Sequence, residues 1–293
     1  MNSYIKKKIL LIFYFFSGEK LFLIIRYYLR TGKLLSFKNP KSFTEKLQFL
    51  KLYDRRSIYT ECADKIVVKD RVISILGEKF VIPTLKVLHS PTELTASNIS
   101  NLSVIIKTNH DSGGTKVLKD STSKDFIALQ SHFKRKLKNN FYYSNLEWEY
   151  KNIEPKILIE PLISDNTGNA LLNDYKIHCF HGEPHFIQMI NDRAEGVKET
   201  WYDTDWNYIN MWYFSSKHKL LQRPSTLSQM LLIAKELSKP FPYVRIDLYD
   251  TPDGILFGEY TFRPWGGYMR WNDDNWDIKL GNLIDLNRLS EYE

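Results

Sequence analysis

The sequence predicts an α+β fold, and three observations predict it. Two pairs of strand-like runs flank short turn-forming stretches: residues 174–180 and 185–190 around His181-Gly182-Glu183-Pro184, and residues 244–249 and 255–262 around Thr251-Pro252-Asp253-Gly254. Residues 126–137 and 227–237 repeat their apolar positions at a helical period. The two kinds of segment do not alternate as a doubly wound sheet requires.

The elements follow in order. Lys6, Lys7 and Lys8 precede an apolar run, residues 9–16, that Ser17-Gly18-Glu19-Lys20 interrupts. No small-x-small cleavage site follows, and the run is far short of the ~20 residues a bilayer needs. Residues 5–30 read as two basic, aromatic helices, either packed on the main domain or touching a membrane surface from the cytoplasmic side. Ser42 and Glu45 form a capping box for the next helix. Residues 64–76 read as an amphipathic helix that Gly77 stops. Val81-Ile82-Pro83 and Val87 suggest an edge strand or loop. Residues 104–108, 116–118 and 157–163 read as strands, with Gly113-Gly114 between the first two.

Composition narrows the class. The 293 residues carry 41 Lys+Arg against 34 Asp+Glu, a net charge of +7, with 14% aromatics. A chain of this length buries a core without disulfide staples, and this aromatic content argues against disorder. Cys62 and Cys179 make neither a disulfide framework nor a cysteine zinc module, which favours a reducing, cytoplasmic compartment.

Four constellations carry chemistry. In the last hairpin, a three-residue loop Pro252-Asp253-Gly254 pairs Thr251 with Ile255 and sets Asp247 opposite Glu259. Facing carboxylates repel. A divalent cation relieves this, and oxygen-only ligands suit magnesium; the alternative is two exposed carboxylates on a solvated face. Arg245 shares that face and is placed to neutralise the pair or reach a phosphate. Secondly, Lys107 leaves a buried strand before Asn109-His110-Asp111-Ser112-Gly113-Gly114, a cation beside a permissive loop that suits phosphate but is no P-loop; a plain hairpin is the alternative. Thirdly, Asp174, Lys176 and His178 fall on one face of a strand, opposite Tyr175, Ile177 and Cys179. His178, Cys179, His181 and His185 fit no common zinc spacing. Fourthly, Asp203-Thr204-Asp205 is a D-x-D, which holds metal in many glycosyltransferases or simply makes a turn.

In this order the pieces resemble ATP-grasp ligases. The wording is similar to the TupA-like branch, named for teichuronopeptide biosynthesis and common in surface-polysaccharide gene sets of the capsule and O-antigen kind. The phrases are Phe43-Thr44-Glu45-Lys46-Leu47-Gln48, Ala63-Asp64-Lys65, Lys107-Thr108-Asn109-His110-Asp111-Ser112-Gly113-Gly114, Asp174-Tyr175-Lys176, Asn191-Asp192-Arg193, Trp201-Tyr202-Asp203-Thr204-Asp205-Trp206 and Gly258-Glu259-Tyr260-Thr261-Phe262. Thr261 stands where the fold often has Asn, Lys69 and Asp111 where the branch suggests Arg and Gly, and Arg263 and Trp265 make the segment before Gly266-Gly267 bulky.

The resemblance implies two α+β lobes clamping ATP, residues 61–158 and 159–293, behind an N-terminal helical extension over residues 1–60. It implies that Lys107, Asn109, His110, Ser112, Gly113 and Gly114 hold phosphates, with Lys65 at the lobe entrance. Glu160, Leu162 and Ile163 become the linker meeting adenine, and Asp174 and Lys176 further nucleotide contacts. Asp247, Glu259 and Thr261 become ligands of Mg2+. Arg193, Arg245 and Arg263 become the grip on a carboxylate or acyl phosphate, with Lys176 catalytic beside them. The implied reaction is ADP-forming ligation of a glycan or sugar carboxylate, a uronic acid, to an amino acid or amine. No nucleic-acid partner is expected. The rivals are a glycosyltransferase using Asp203 and Asp205 and a non-catalytic nucleotide-binding assembly factor.

Overall fold

A computed structural model describes residues 3–99, 103–118, 125–163, 173–191 and 196–292, with the side chains of residues 3–13, 15–17 and 191 excepted. The chain begins with helix α1 (Ser3–Thr31), which Gly18 breaks at φ 71°. Gly18, at φ 71° and ψ 166°, is non-helical, so the element is the expected pair of helices joined at that residue. Its second half buries Phe22, Leu23 and Tyr27 against Tyr142 and Leu146. Helix α2 (Phe43–Tyr53) starts at the Ser42–Glu45 capping box. The helix expected over residues 64–76 is preceded by a separate α3 (Ser57–Ala63) and begins only at α4 (Val67–Leu76), which ends at Gly77. No described helix is long and apolar enough to cross a membrane.

Four strands, β1 (Lys86–Leu88), β2 (Val104–Thr108), β3 (Lys116–Leu118) and, after helices α5 (Phe126–Leu137) and α6 (Tyr142–Asn145), β4 (Ile157–Pro161), form one antiparallel sheet in the order β1-β4-β2-β3. Val104, Ile106, Ile157 and Ile159 pack under Leu129 and Phe133 of α5. Strand β4 stops at Pro161, short of the expected end.

The second sheet holds β5 (Asp174–Phe180), β6 (Glu183–Asn191), β7 (Lys198–Asp203), β8 (Tyr208–Ile209) and, after α7 (Leu227–Ser238), β9 (Tyr243–Thr251) and β10 (Gly254–Thr261). Its order is β10-β9-β5-β6-β7-β8, antiparallel throughout. Alternation sorts its side chains. Tyr175, Ile177, Cys179, Ile187, Ile246 and Leu248 form a core with Met230, Ile233 and Leu237 of α7. The opposite face is polar at its centre. At one end of that face Phe180, Trp201 and Tyr243 pack on Phe43, Leu47 and Leu50 of α2, with Leu280 of the last helix, α8 (Asp274–Asn282). Beyond this closure, the Glu259 edge of the polar face borders a cleft shared with Lys107 and Glu160 of the first sheet.

Candidate active site

Cross-strand pairing builds a row of polar side chains across four strands: Gln188, Lys176, Asp247 and Glu259 lie opposite one another in turn. The opposition of Asp247 and Glu259 arises by a different route from the expected one. The hairpin pairs Thr251 with Gly254, so its loop has two residues, Pro252 and Asp253. That register alone would set Asp247 against Gly258. A β-bulge between Phe257 and Glu259 restores it. Gly258 is needed there, because a Cβ would sit 2.9 Å from the Asp247 carbonyl oxygen.

The two carboxylates have unlike surroundings. Asp247 is buried, and Arg245 Nε and Nη2 donate to its two oxygens at 2.6 and 2.7 Å. Lys176 Nζ adds a bond at 2.6 Å and lies 3.2 Å from Asp174. Burial alone would raise the Asp247 pKa; Arg245 and Lys176 outweigh it and hold the carboxyl below its ordinary value. Glu259 keeps 42% of its side chain exposed, 3.5 Å from Arg245. Thr261 links the set: its hydroxyl accepts from Arg245 Nη2 at 3.0 Å and donates to Glu259 at 3.2 Å. Charge repulsion is therefore relieved by Arg245 and Lys176. Among the described residues no group of three acidic, histidine or cysteine side chains is placed to hold a metal. The donors are two carboxylates and a hydroxyl, all oxygen. This fits magnesium, which commonly takes one or two carboxylates and fills its shell with water and substrate phosphates.

The first sheet contributes cations. Lys107 and Glu160 are diagonal neighbours on β2 and β4 and pair at 2.6 Å. Lys69 of α4 reaches the other Glu160 oxygen at 2.5 Å and also donates to the Ile82 carbonyl at 2.8 Å. Burial lowers the Lys69 pKa, as it does that of Lys65. Lys65 donates to the Asp111 carbonyl. The cleft lined by Lys65, Lys69, Lys107, Glu160, Tyr150 and Glu259 retains about 20 Å³ of free space, scarcely more than the ~10–15 Å³ that one water requires.

The Gly loop is anchored from below. Asn109 donates to Asp64 and the Glu154 carbonyl and accepts from the Lys156 amide at 2.7 Å. His110 is buried with Nε2 3.1 Å from the Asn139 carbonyl. Thr108 and Lys136 hold the Asp111 carboxylate, and Lys136 bonds the Gly113 carbonyl at 2.7 Å. Gly113 and Gly114 both have positive φ, as the turn requires. Ser112 faces a second cavity. Leu162 bonds the Ser103 carbonyl at 3.0 Å just past β4, and Ile163 follows it.

That second cavity, about 550 Å³, adjoins the cleft through Tyr150 and Glu259. Its wall includes Arg30, Arg245, Arg263, Arg270, Glu147 and Trp265. Arg263 is buried with its guanidinium 5.3 Å over the Tyr59 ring. Trp265 has a positive φ, and Gln48 and Lys51 of α2 donate to the Gly266 and Gly267 carbonyls beside it. Tyr213 lines the cavity beside Trp265, their rings edge to face at 6.1 Å. The Tyr213 amide, with those of Phe214 and Ser215, donates to the buried Glu199 carboxylate at 3.3, 2.7 and 2.9 Å.

Arg193 lies outside the described residues. Asp203 accepts from the Asp205 and Asn207 amides at 3.0 and 2.8 Å, so the D-x-D is an Asx turn between β7 and β8. His181 pairs with Tyr292, and Cys179 lies in the core under α7, across the sheet from His178. Lys69, Glu147, Glu199, Tyr213, Arg30 and Arg270 also stand at the site, and the sequence patterns do not single them out. Lys69 had a local signal, lying four residues beyond Lys65. The others reach the site only through tertiary packing.

The model of the TupA-like ATPgrasp family matches residues 45–285, and the chain belongs to that family. Among solved structures it is similar to D-alanine–D-alanine ligase from Bacillus anthracis, with 15% identity and a TM-score of 0.45, over 86% of this chain and 73% of that one. The ligase of the same name from Helicobacter pylori has 13% identity and a TM-score of 0.44, over 87% and 68%. The ATP-grasp ligase PsnB, complexed with a phosphomimetic precursor variant, Mg and ADP, has 12% identity and a TM-score of 0.41, over 82% and 66%. The assignment rests on the family model. No curated protein matches the sequence.

Proposed function

We propose that the protein ligates a carboxylate to an amine at the expense of ATP, releasing ADP, and that the carboxylate belongs to a uronic acid of a surface glycan. The supporting observation is that Glu259, paired across the strands with buried Asp247, lines both a lysine-lined cleft and an arginine-lined cavity. The lobes would be residues 61–158 and 159–293 with the boundary moved past Pro161, since all of β4 pairs within the first sheet, and residues 1–60 would be a helical extension.

A carboxylate is a poor electrophile, and phosphorylation to an acyl phosphate gives it a leaving group. Lys107 and Lys69, released from Glu160, supply point charges for the ATP phosphates, with Lys65 and the Ser112–Gly114 backbone beside them. Asp247, Glu259 and Thr261 would hold magnesium, which neutralises phosphoryl charge as the group transfers. Arg245 lines the cavity beside Glu259, placed to hold the reacting carboxylate and then the acyl phosphate. Arg263 and Arg270 present forks for a second carboxylate or phosphate on the acceptor. Trp265 offers an aromatic face to a sugar ring. Tyr213 and the loop of residues 263–268 wall the cavity from water, protecting the acyl phosphate from hydrolysis.

The test is ATP turnover with mass detection of products, using glucuronic and galacturonic acid, free and as UDP conjugates, with the twenty amino acids. ADP release that depends on a uronic acid, with a product one water lighter than acid plus amine, supports the reading. Sugar transfer or ATP binding without turnover would replace it.

A further inference from the structure

An amine is protonated at neutral pH and is not a nucleophile until it loses a proton. The ligase reading therefore needs a base that meets the amine on the acceptor side. Glu147 is the carboxylate so placed. It is buried at 6% exposure, yet it lines the cavity that Arg245, Glu259 and Thr261 also line.

Its environment is unusual for a buried acid. Among the described residues its one close polar partner is the neutral Asn145 amide, 3.0 Å from Oε1. The nearby Lys51 spends its ammonium on Gln48 Oε1 and on the Asn145 and Gly266 carbonyls, at 2.9, 2.9 and 2.6 Å. Arg263 lies over Tyr59. Burial, with the charge of Glu149 beside it, pushes the Glu147 pKa up. The preceding Leu146 is held at φ 54°, a left-handed conformation rare for such a side chain. A buried carboxylate without an ion pair is costly, and an incoming ammonium supplies the missing partner.

We propose that Glu147 binds the ammonium group of the amine substrate and accepts its proton, acting as a catalytic base; this rests on the ligase reading above. The amine passes one proton to the Glu147 carboxylate. Its freed lone pair forms the C–N bond at the acyl carbon. The C–O bond to phosphate breaks, and the phosphate leaves with that electron pair and takes the second amine proton. Glu147 then returns its proton to solvent through the cavity.

Hydroxylamine separates this role from a structural one, because it is uncharged at neutral pH and attacks an acyl phosphate without a base. The full chain would be assayed with ATP, Mg2+, the uronic acids named above, and either the amino-acid mixture or hydroxylamine. Glu147→Gln should lower amide formation by about 10²–10⁴-fold, the usual range for a general base, and leave hydroxamate formation within a few-fold. Glu147→Asp, which keeps the carboxylate, should recover part of the loss. Equal loss with both nucleophiles, or no loss with either, overturns the proposal. So does wild-type protein that forms hydroxamate but no amide. Wild-type protein that releases no ADP under any condition overturns the ligase reading itself, and this proposal with it.

Discussion

Lysines line one side of the candidate site and arginines the other, and the two sides differ in how open they are. In the cleft, Lys69 and Lys107 converge on Glu160, and the cleft as a whole keeps about 20 Å³. In the cavity, four arginines surround about 550 Å³. The cleft is collapsed on internal ion pairs that a polyphosphate would have to replace. The cavity is already shaped for an occupant. Lysine suits the first task as a mobile point charge, and arginine the second as a rigid fork for carboxylate or phosphate. On the ligase reading we propose, this difference would give the site an order: separation of charge pairs on the nucleotide side, and docking into standing space on the acceptor side.

The sharpest way to break the comparison is at the carboxylate pair, whose Glu259 lines both spaces while Asp247 lies buried behind it. Asp247→Asn leaves Arg245 and Lys176 buried with a neutral partner. Breaking a buried pair in this way costs about 3–5 kcal/mol, readable by urea denaturation, and ADP formation should fall at least ~10³-fold. Glu259→Gln, at a half-exposed position, should lose a comparable share of activity with little change in stability. Equal destabilisation by both would mean that their surroundings do not differ as described. The pH dependence has a definite sign. The Asp247 pKa is lowered on folding, so its contribution is present above the unfolded value of about 3.9 and is lost as pH falls through the lower folded value. Asp247→Asn should flatten that acid limb.

The next effect belongs to the cleft alone. Lys107→Ala should weaken ATP binding by about 10–100-fold, the loss of one or two charge-assisted bonds, while adenosine binding and acceptor binding hold. Calorimetry with ATP and adenosine checks it, and equal weakening of both would move Lys107 away from the phosphates. Lys69→Ala should behave alike, since it shares Glu160.

How far such residues could be read from sequence depended on how local their cause was. Alternation along Asp174-Tyr175-Lys176-Ile177-His178 placed three side chains on the site face because period two is a backbone property. The capping box at Ser42 and the stop at Gly77 were equally local. Strand β7 was not anticipated, since buried Glu199 and Thr200 interrupt its apolar pattern. The last hairpin is intermediate. Sequence register matches Asp247 to Glu259 through a three-residue loop, whereas in the structure the extra residue sits in the strand as a bulge. Its mark was visible as Phe257-Gly258-Glu259, a glycine inside a strand. Gly258→Ala would push a Cβ against the Asp247 carbonyl. It should cost about 1–3 kcal/mol and, by shifting Glu259, lower turnover about tenfold at unchanged ATP affinity. Unchanged activity would show that the bulge does not set the carboxylate pair.

The smallest expected effect concerns how the acceptor reaches the cavity. Arg30 and Arg270 stand on its wall, and the Arg270 guanidinium bonds the Arg30 carbonyl at 2.6 Å. Close by in sequence, Leu29 and Leu34 are 72% and 81% exposed. We propose that residues 5–30 touch an anionic membrane, bringing a lipid-linked glycan to this wall. The packing of Phe22, Leu23 and Tyr27 into the body of the protein limits which part is free to do so. Removing residues 1–30 would strip that core, whereas ending the deletion at residue 17, before the Gly18 break, spares it. Lys6, Lys7 and Lys8 would each contribute about 1 kcal/mol at an anionic surface, weakened by salt. Flotation with anionic vesicles should therefore be reduced, at low salt above all, by deleting residues 1–17, while turnover of a soluble uronic acid stays the same. Equal flotation of both chains, or of neither, would remove the membrane role and leave Leu29 and Leu34 as ordinary exposed side chains. A loss of soluble protein on this short deletion would instead make the first half of α1 part of the core that its second half already joins.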